Sequence, residues 1–351
     1  MNVIFERARR RLVTEGFILA STSIKYLNSL LCVILMNITI LGGGSWGSAL
    51  AITLAKNNHP IKIWEFFQEQ AEEMQQKRVC RLLPGVRLSD NIFASHKIEE
   101  VFPGSELILL VVPSDKAEVT IAKAKHLFSN QPVVICSKGF GEGLQLLSES
   151  VQKQVSGNVY CLYGPTHAEE VCKGLFSGIV LAGKAGKERQ KIQEAFNSDV
   201  FKVEVCDDII GVQLCAALKN ILAVFVGVLD GKKLGDNAQA YVITKGLEEI
   251  KTIGLKMGAK EKTFYGLAGI GDIIVTATSK HSRNRYVGEQ VGRGRKLEEV
   301  LAEMKMVAEG VTAVKRAIGF KEKLGLHLPL TEGLHQILFE GKDVEEVLRT
   351  I

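Results

Sequence analysis

From Met36 onward the hydrophobic pattern alternates short apolar runs with segments typical of helices. The apolar runs are rich in β-branched residues and lack the strict alternation of a strand with one face in water, so they resemble strands covered on both faces. Strands of this kind separated by helices predict an α/β fold with a doubly wound, mostly parallel sheet. The predicted strands are NITIL, IKIW, LILLVV, PVVICS, VYCLY, GIVLAG and FKVEV.

The pattern changes after Cys206, where strand-like runs stop and helical segments alternate with glycine-rich turns. The most apolar segment, Ile209 to Leu229, is long enough to cross a membrane. Lys219 near its centre would cost about 2.5–3.5 kcal/mol there. We therefore predict a buried helix without stable membrane insertion. The expected domains are a sheet domain at 36–206 and an all-α domain at 207–351.

The first 35 residues fit neither pattern. A basic cluster that begins at Arg7 precedes an apolar stretch that loosely resembles a signal peptide or an anchor. Lys25 interrupts this stretch and no small-residue cleavage site follows it. We expect residues 1–35 to be an extension outside the core, with Met36 as the natural start.

Length and composition fit a soluble protein of two domains. The 351 residues exceed the size of one typical domain, which is roughly 150 residues, and the composition of 46% hydrophobic and 24% charged residues is ordinary. The net charge of +5 is modest and dispersed, which argues against nucleic-acid binding. Seven cysteines without a C-x-x-C pair predict free thiols in a reducing cytosol and no metal site.

A glycine-rich turn follows the first predicted strand. ILGGGSWGSALA places Gly42, Gly44 and Gly47 in a G-x-G-x-x-G pattern that opens a helix. The pattern allows a tight turn, close approach of a pyrophosphate and close packing of the helix on the strand. The second strand ends at Glu65, where a carboxylate can bind the adenosine ribose and would repel a 2′-phosphate. This predicts a Rossmann-type domain that binds NAD or NADP, with NAD favoured; an empty glycine turn and a solvated Glu65 are the alternatives.

Three charged residues stand where a ligand or a partner is needed. Lys138 follows a buried strand at the carboxyl edge of the sheet, where open α/β folds bind ligands. Lys219 in its apolar helix needs a ligand, a carboxylate or water, and desolvation moves its pKa toward the range that suits proton transfer. Asp272 lies among glycines and apolar residues and is a candidate partner. The alternatives are a solvated Lys138 and a Lys219 that snorkels to water.

Two further segments supply polar side chains. In YGPTHAEE, Gly164 shapes a turn, Thr166 is predicted to N-cap the next helix, and His167 suits packing better than acid catalysis. In SRNR, Arg283 and Arg285 lie near the start of a predicted helix, which is a favourable place for a phosphate. Residues two apart do not share a helix face, so one of the two arginines is expected to point at a ligand, unless both are solvated surface residues.

Taken together, these segments resemble the bacterial NAD(P)-dependent glycerol-3-phosphate dehydrogenase family. The resemblance runs from Met36 to the C-terminus, in the order of the family. It implies a cytoplasmic, commonly dimeric enzyme of two domains that interconverts dihydroxyacetone phosphate and sn-glycerol 3-phosphate, a precursor of phospholipids. The segments that carry it are ILGGGSWGSALA, LLPGVRL, VVPS, SKG, GPTHAEEV, ALKN, GLAGIGD, SRNR and VAEGV.

The resemblance also implies residue roles. Lys219 corresponds to the proton donor and acceptor on the C2 oxygen, Lys138 to a lysine that binds substrate and stabilises charge, and Asp272 to the acid that orients the lysine. Further positions near the substrate are Gly164, Thr166, Asn220, Thr276, Ser282, Arg283 and Asn284. Positions in contact with the cofactor, besides the glycine turn, are Ser45, Trp46, Lys138, Ala168, Arg283, Val307 and Glu309.

One departure from the family concerns the cofactor. Many members carry a basic residue soon after the tryptophan of the second strand, which suits a 2′-phosphate, whereas WEFF offers Glu65 here. Two other functions remain open from the sequence. A 2- or 3-hydroxy-acid dehydrogenase would not need Arg283 and Asn284 as a phosphate clamp, and a non-catalytic dinucleotide sensor would leave Lys138, Lys219 and Asp272 without a shared task.

Overall fold

The computed structural model describes residues 35–279, 282–304 and 308–351. In these residues one sheet is followed by a helical region, as the sequence predicts. The strands are β1 Ile38–Leu41, β2 Ile61–Trp64, β3 Ile92–Ser95, β4 Leu107–Leu110, β5 Val133–Ile135, β6 Val159–Tyr163, β7 Ser177–Ala182 and β8 Phe201–Cys206.

The sheet is mostly parallel, which confirms the predicted fold class. Its strands lie in the order β3-β2-β1-β4-β5-β6-β7-β8. The six strands from β3 to β6 are parallel, β7 pairs antiparallel with β6, and β8 is parallel to β7. The hydrophobic pattern missed β3, because this edge strand has a short apolar run, Ile92 to Ala94, between two polar residues.

Both faces of the sheet are covered, as its continuous apolar runs require. Successive residues of a strand belong to different hydrophobic clusters: Ile40 and Leu109 contribute to one, and Leu41 and Leu110 to the other. The helices between the strands supply the rest of these clusters. They are α1 Ser45–Lys56, α2 Gln68–Gln76, α3 Ile98–Val101, α4 Ala117–Ala124, α5 Leu147–Gln152, α6 Ala168–Val171 and α7 Lys187–Phe196.

The chain after β8 is helical. Met36–Ile351 form one compact unit by their internal contacts, so a domain division at residue 206 stays a prediction. The prediction for residues 1–35 falls, apart from Leu35, outside the described residues. The helices are α8 Ile209–Lys232, α9 Gly235–Lys256, α10 Asp272–Thr278, α11 Arg283–Gly292, α12 Leu297–Glu303, α13 Glu309–Leu324, α14 Pro329–His335 and α15 Val344–Leu348.

Helix α8 is the centre of the helical region. Among the described residues it is the one helix whose length and composition would allow it to cross a membrane, and 89% of its most apolar window is buried in the protein. A buried core helix passes the same length and composition test, so the test by itself is weak evidence for a membrane span. Lys219 in its middle is only 5% exposed.

Asp208 connects the start of α8 to the segment of chain that precedes Asp272. Its Oδ1 accepts the N–H of Gly211 at 2.8 Å and so caps the helix. Its Oδ2 accepts the backbone N–H of Lys260 at 2.7 Å and the hydroxyl of Thr263 at 2.6 Å. The segment that leads to Asp272 is therefore tied to the first turn of the helix that carries Lys219.

Glycines let α8 and α11 approach each other closely. Gly227 and Gly231 on α8 face Gly288 and Gly292 on α11, and a Cβ at any of the four would collide with a backbone atom of the other helix. Small residues at this spacing allow two helix backbones to touch. The contact holds the first residues of α11, which include Arg283, beside α8.

We expect Gly288→Ala to destabilise the protein by about 2 kcal/mol or more, because the new Cβ meets the carbonyl oxygen of Val224, which cannot rotate away. Unfolding in denaturant measures the effect. Gly246→Ala is the control, since its Cβ would meet a Leu222 methyl group, which can move. Equal losses in the two variants would contradict the close backbone contact.

Candidate active site

The glycine-rich turn between β1 and α1 has the shape that a bound pyrophosphate needs. Gly42 has φ +118, and a Cβ there would lie 2.9 Å from the carbonyl carbon of Val111. A Cβ at Gly47 would collide with the carbonyl oxygen of Gly42, so helix and turn pack without space. A Cβ at Gly44 would meet nothing within 4 Å, so the backbone is open on that side. Ser45 begins α1 at this turn.

Glu65 lies against the same turn. Its Oε2 accepts the N–H of Gly43 at 3.0 Å and its Oε1 accepts the N–H of Phe67 at 3.1 Å. The side chain is 6% exposed, and burial raises the pKa of Glu65 while these backbone donors oppose the rise. The indole Nε1 of Trp46 is buried, and no acceptor for it is found in the described part of the chain. Both groups fit a cofactor lying along the turn.

Two lysines meet at one carboxylate. Lys219 Nζ lies 2.6 Å from Oδ1 of Asp272, and Lys138 Nζ lies 3.1 Å from Oδ2 of the same residue. Asp272 is 1% exposed, whereas 21% of the Lys138 side chain reaches solvent. The structure therefore brings together the three residues that sequence reasoning selected, one after β5 and two in the helical region. Their catalytic roles stay predictions.

Thr276 completes this cluster from the next turn of α10. Lys219 donates to its hydroxyl, and the hydroxyl donates to the backbone carbonyl of Asp272 at 2.6 Å. Burial lowers the pKa of Lys219 to about 8, helped by the charge of Lys138 and opposed by that of Asp272. An amine with a pKa near neutrality can give up and take back a proton during turnover.

A second polar group lies where α8, α11 and α13 meet. Asn220 donates to Oε2 of Glu309 at 3.2 Å, and Asn284 accepts the N–H of Gly310 at 2.9 Å. Burial raises the pKa of Glu309, and the charges of Lys138 and Arg283 oppose the rise. The Arg283 side chain is exposed at the start of α11.

The two arginines of SRNR have different surroundings, and that one of them points at a ligand stays a prediction. Arg285 forms an ion pair with Asp230 of α8, so its charge is engaged inside the helical region. Arg283 is the residue that lies close enough to act on Glu309. Ser282 caps α11 by accepting the N–H of Arg285 at 3.3 Å, and its contact with substrate stays a prediction.

The turn after β6 differs in one respect from the prediction. Thr166 does not cap α6; the N-cap is His167, and the Thr166 hydroxyl donates to the carbonyl of Gly164 at 3.2 Å. A threonine hydroxyl can bond a nearby backbone carbonyl instead of a helix end. Burial lowers the pKa of His167, which fits a packing role better than acid catalysis. Ala168 is buried at the start of α6.

Three predictions concern features outside this cluster. Val307 lies outside the described residues. Over 35–279, 282–304 and 308–351, no three His, Cys, Asp or Glu side chains are grouped for a metal ion. The described cysteines are free thiols, and these are Cys80, Cys136, Cys161, Cys172, Cys206 and Cys215.

Sequence reasoning missed two features that shape the site. The first is the glycine contact between α8 and α11, which the two G-x-x-x-G spacings at Gly227/Gly231 and Gly288/Gly292 indicate. The hydrogen bond from Arg316 of α13 to the carbonyl of Gly141 has no local sequence signal, because it joins residues far apart in the chain.

Comparison with known proteins gives a consistent result. Residues 37–189 match the family described as "NAD-dependent glycerol-3-phosphate dehydrogenase N-terminus", and residues 208–349 match its C-terminus. The chain is 39% identical to glycerol-3-phosphate dehydrogenase [NAD(P)+] of Chlorobium phaeobacteroides, over 89% of this chain and 96% of the relative. It is 40% identical to the enzyme of the same name from Bacillus cytotoxicus, over 90% and 94%. The crystal structure of a Coxiella burnetii glycerol-3-phosphate dehydrogenase matches with a TM-score of 0.85 and 33% identity, over 90% of this chain and 98% of that one.

Proposed function

We propose a division of roles in the active site from the premise that this chain belongs to the NAD-dependent glycerol-3-phosphate dehydrogenase family. The chain is an oxidoreductase that interconverts dihydroxyacetone phosphate and sn-glycerol 3-phosphate with NAD(P). The observation that carries the proposal is the convergence of Lys138 and Lys219 on Asp272.

Lys219 is the proton donor in the direction of reduction. Its ammonium is buried, its pKa is lowered to about 8 by desolvation, and Asp272 and Thr276 fix its direction. Protonation of the C2 oxygen by Lys219 neutralises the charge that develops there. In oxidation, the neutral amine accepts the same proton.

Lys138 stabilises charge on the substrate. It shares Asp272 with Lys219 but is the more exposed of the two amines, which fits a group that meets an incoming anion. Arg283 at the start of α11 and Asn284 beside it hold the phosphate, which the positive end of the helix dipole also favours. Gly164, Thr166 and Ser282 complete the substrate side of the proposed site.

The residues at the glycine turn fit a nicotinamide dinucleotide, and we propose that NAD is preferred over NADP. When bound, the cofactor supplies or accepts the hydride at C2. The open backbone at Gly44 is suited to the pyrophosphate, and so is the Trp46 indole N–H, for which the described residues offer no acceptor. Glu65 offers a carboxylate where NADP would bring a 2′-phosphate, and two negative charges there repel each other.

Steady-state kinetics with dihydroxyacetone phosphate test the function and the cofactor preference together. We expect NADH to exceed NADPH in kcat/KM by tenfold or more, about 1.4 kcal/mol, and Glu65→Ser to narrow this ratio. Glu72→Ser on the exposed face of α2 is the matched control and should leave the ratio unchanged. A preference for NADPH in the unaltered chain would contradict the role of Glu65.

The same assay distinguishes the two enzyme classes. If NADH is oxidised with a 2- or 3-keto acid but not with dihydroxyacetone phosphate, the chain is better explained as a hydroxy-acid dehydrogenase.

The reaction should depend on pH in opposite ways in its two directions. Reduction requires protonated Lys219, so its kcat/KM should fall as pH rises through about 8, and oxidation, which requires the neutral amine, should rise over the same range. Initial rates of both directions between pH 6 and pH 10, with cofactor held constant, measure this. If kcat/KM changes in the same direction with pH for both reactions, Lys219 cannot be both the acid of reduction and the base of oxidation.

We also propose that the enzyme is cytoplasmic and forms a homodimer, as the family resemblance implies. The free thiols among the described cysteines suit a reducing compartment. Sedimentation at micromolar concentration distinguishes a dimer from a monomer.

A further inference from the structure

The turn that carries Lys138 is built from flexible backbone. In SKGFGEG, Gly139 has φ +139 and a Cβ there would collide with the Ser114 side chain, so only glycine fits. Gly141 and Gly143 follow within four residues, and Gly143 has φ +60. Such a turn has little intrinsic stiffness, because glycine restricts the backbone less than any other residue. The position of Lys138 must therefore be set by contacts from elsewhere.

One set of contacts holds the residue before Lys138 to the sheet. The buried Tyr163 of β6 donates its hydroxyl to the carbonyl of Ser137 at 2.6 Å. The Ser137 hydroxyl donates in turn to the carbonyl of Val112 at 2.5 Å, and the carbonyl of Leu110 lies 3.2 Å from it. These bonds fix the backbone up to residue 137. After Lys138 the turn closes on itself through the bond from the Gly141 N–H to the carbonyl of Gln145 at 2.9 Å and the bridge between Phe140 and Leu146, so it can still shift as a unit unless a neighbouring element holds it.

The other set comes from α13. Arg316 donates Nη1 to the carbonyl of Gly141 at 2.8 Å. The rings of Phe140 and Phe320 pack with centroids 5.2 Å apart, and Leu144 packs over Gly319. The first residue of α13 is Glu309, and the positive charge of Lys138 opposes the rise of the Glu309 pKa. Helix α13 thus connects Glu309, a proposed cofactor contact, to the turn that carries Lys138.

We propose that Arg316 is a positioning residue that sets the place of the Lys138 ammonium by holding the carbonyl of Gly141. The inference rests on the proposed function, because it assigns Lys138 to the substrate. Arg316 is half-buried and bonds the turn from the helical region, so it fixes the distance between the lysine of the sheet edge and the lysine of α8. Misplacement of a reacting group by about 1 Å can lower a rate by roughly 100-fold.

The test replaces the guanidinium while keeping its aliphatic stem. Arg316→Met should lower kcat/KM for dihydroxyacetone phosphate by roughly 10- to 100-fold and leave the Kd for NADH unchanged. Arg316→Lys, which retains an N–H donor on a similar stem, should recover part of the loss. Lys323→Met on the exposed last turn of the same helix is the matched control and should match the unaltered enzyme.

Several outcomes would overturn the inference. These are an unchanged kcat/KM in Arg316→Met, equal losses in the Met and Lys variants, or a lower melting temperature without a kinetic change in the folded enzyme. If Arg316→Met does not fold, Arg316→Gln is held to the same outcomes. Failure of the unaltered chain to turn over dihydroxyacetone phosphate would instead contradict the proposed function, so the two failures are distinguishable.

Discussion

Replacement of Lys219 by Met is expected to lower kcat for dihydroxyacetone phosphate reduction by roughly 10²- to 10⁴-fold, the range for loss of a positioned general acid. The thioether keeps the volume of the side chain in the apolar helix but cannot donate a proton to C2 oxygen. Asp272 keeps Lys138 as a partner, so the buried carboxylate is not left alone. The glycine turn is untouched, and the Kd for NADH should not change.

The experiment combines single-turnover kinetics with a fluorescence titration of NADH. Lys232→Met is the matched control, because Lys232 lies on the same helix at its partly exposed end and pairs with Asp343 at 3.1 Å, away from Asp272. It should retain normal turnover. If Lys219→Met also retains near-normal turnover, the acid must be another group.

The second large effect is expected from Asp272→Asn. This change keeps the shape of the side chain but leaves two ammonium groups without their shared carboxylate, and breaking a buried ion pair costs about 3–5 kcal/mol. Asp272 opposes the lowering of the Lys219 pKa, so its loss lowers that pKa further. A larger fraction of Lys219 is then neutral at pH 7 and cannot protonate the substrate, and together with the lost orientation of the amine this should lower reduction by roughly 100-fold.

The pH dependence distinguishes this explanation from simple misfolding. With its pKa lowered, Lys219 binds fewer protons in the folded state than in the unfolded chain, so stability rises with pH toward the ordinary lysine pKa. The stability lost in Asp272→Asn should therefore be partly recovered at pH 9, and the remaining reduction activity should move to lower pH. Thr276→Val, which removes a hydroxyl and no charge, is the comparison. A variant whose rate profile keeps the wild-type pH midpoint would contradict the role of the carboxylate.

Much of the fold and site could be predicted from the sequence because each signal was local. The glycine pattern from Gly42 to Gly47 can be recognised without any tertiary contact. A lysine in the middle of an apolar helix indicates that a partner must be present, because a buried ammonium is unstable alone. Asp272 could be named as that partner because it too is a charge among apolar residues.

The remainder depends on contacts that no local pattern encodes. The edge strand β3 was missed because its apolar run, from Ile92 to Ala94, is short and lies between the polar Asn91 and Ser95, which resembles a loop. The prediction that Thr166 caps α6 was wrong because the Thr166 hydroxyl donates to the carbonyl of Gly164 instead. The ion pair of Arg285 with Asp230 and the bond from Arg316 to Gly141 join segments whose proximity only the folded chain determines.

The reversed direction of β7 and β8 has a consequence for the length of α8. Because β8 runs opposite to the six parallel strands, it ends at their amino edge, and α8 starts there. About ten residues of helix lead from Ile209 to Lys219, a rise of about 15 Å, which is close to the span of a strand of four to five residues. The first ten residues of the helix thus match the length of a parallel strand, from the amino edge of the sheet, where α8 starts, to the carboxyl edge, where Lys138 lies. One inserted residue in its first three turns would swing the amine by about 100° around the axis and carry it away from Asp272.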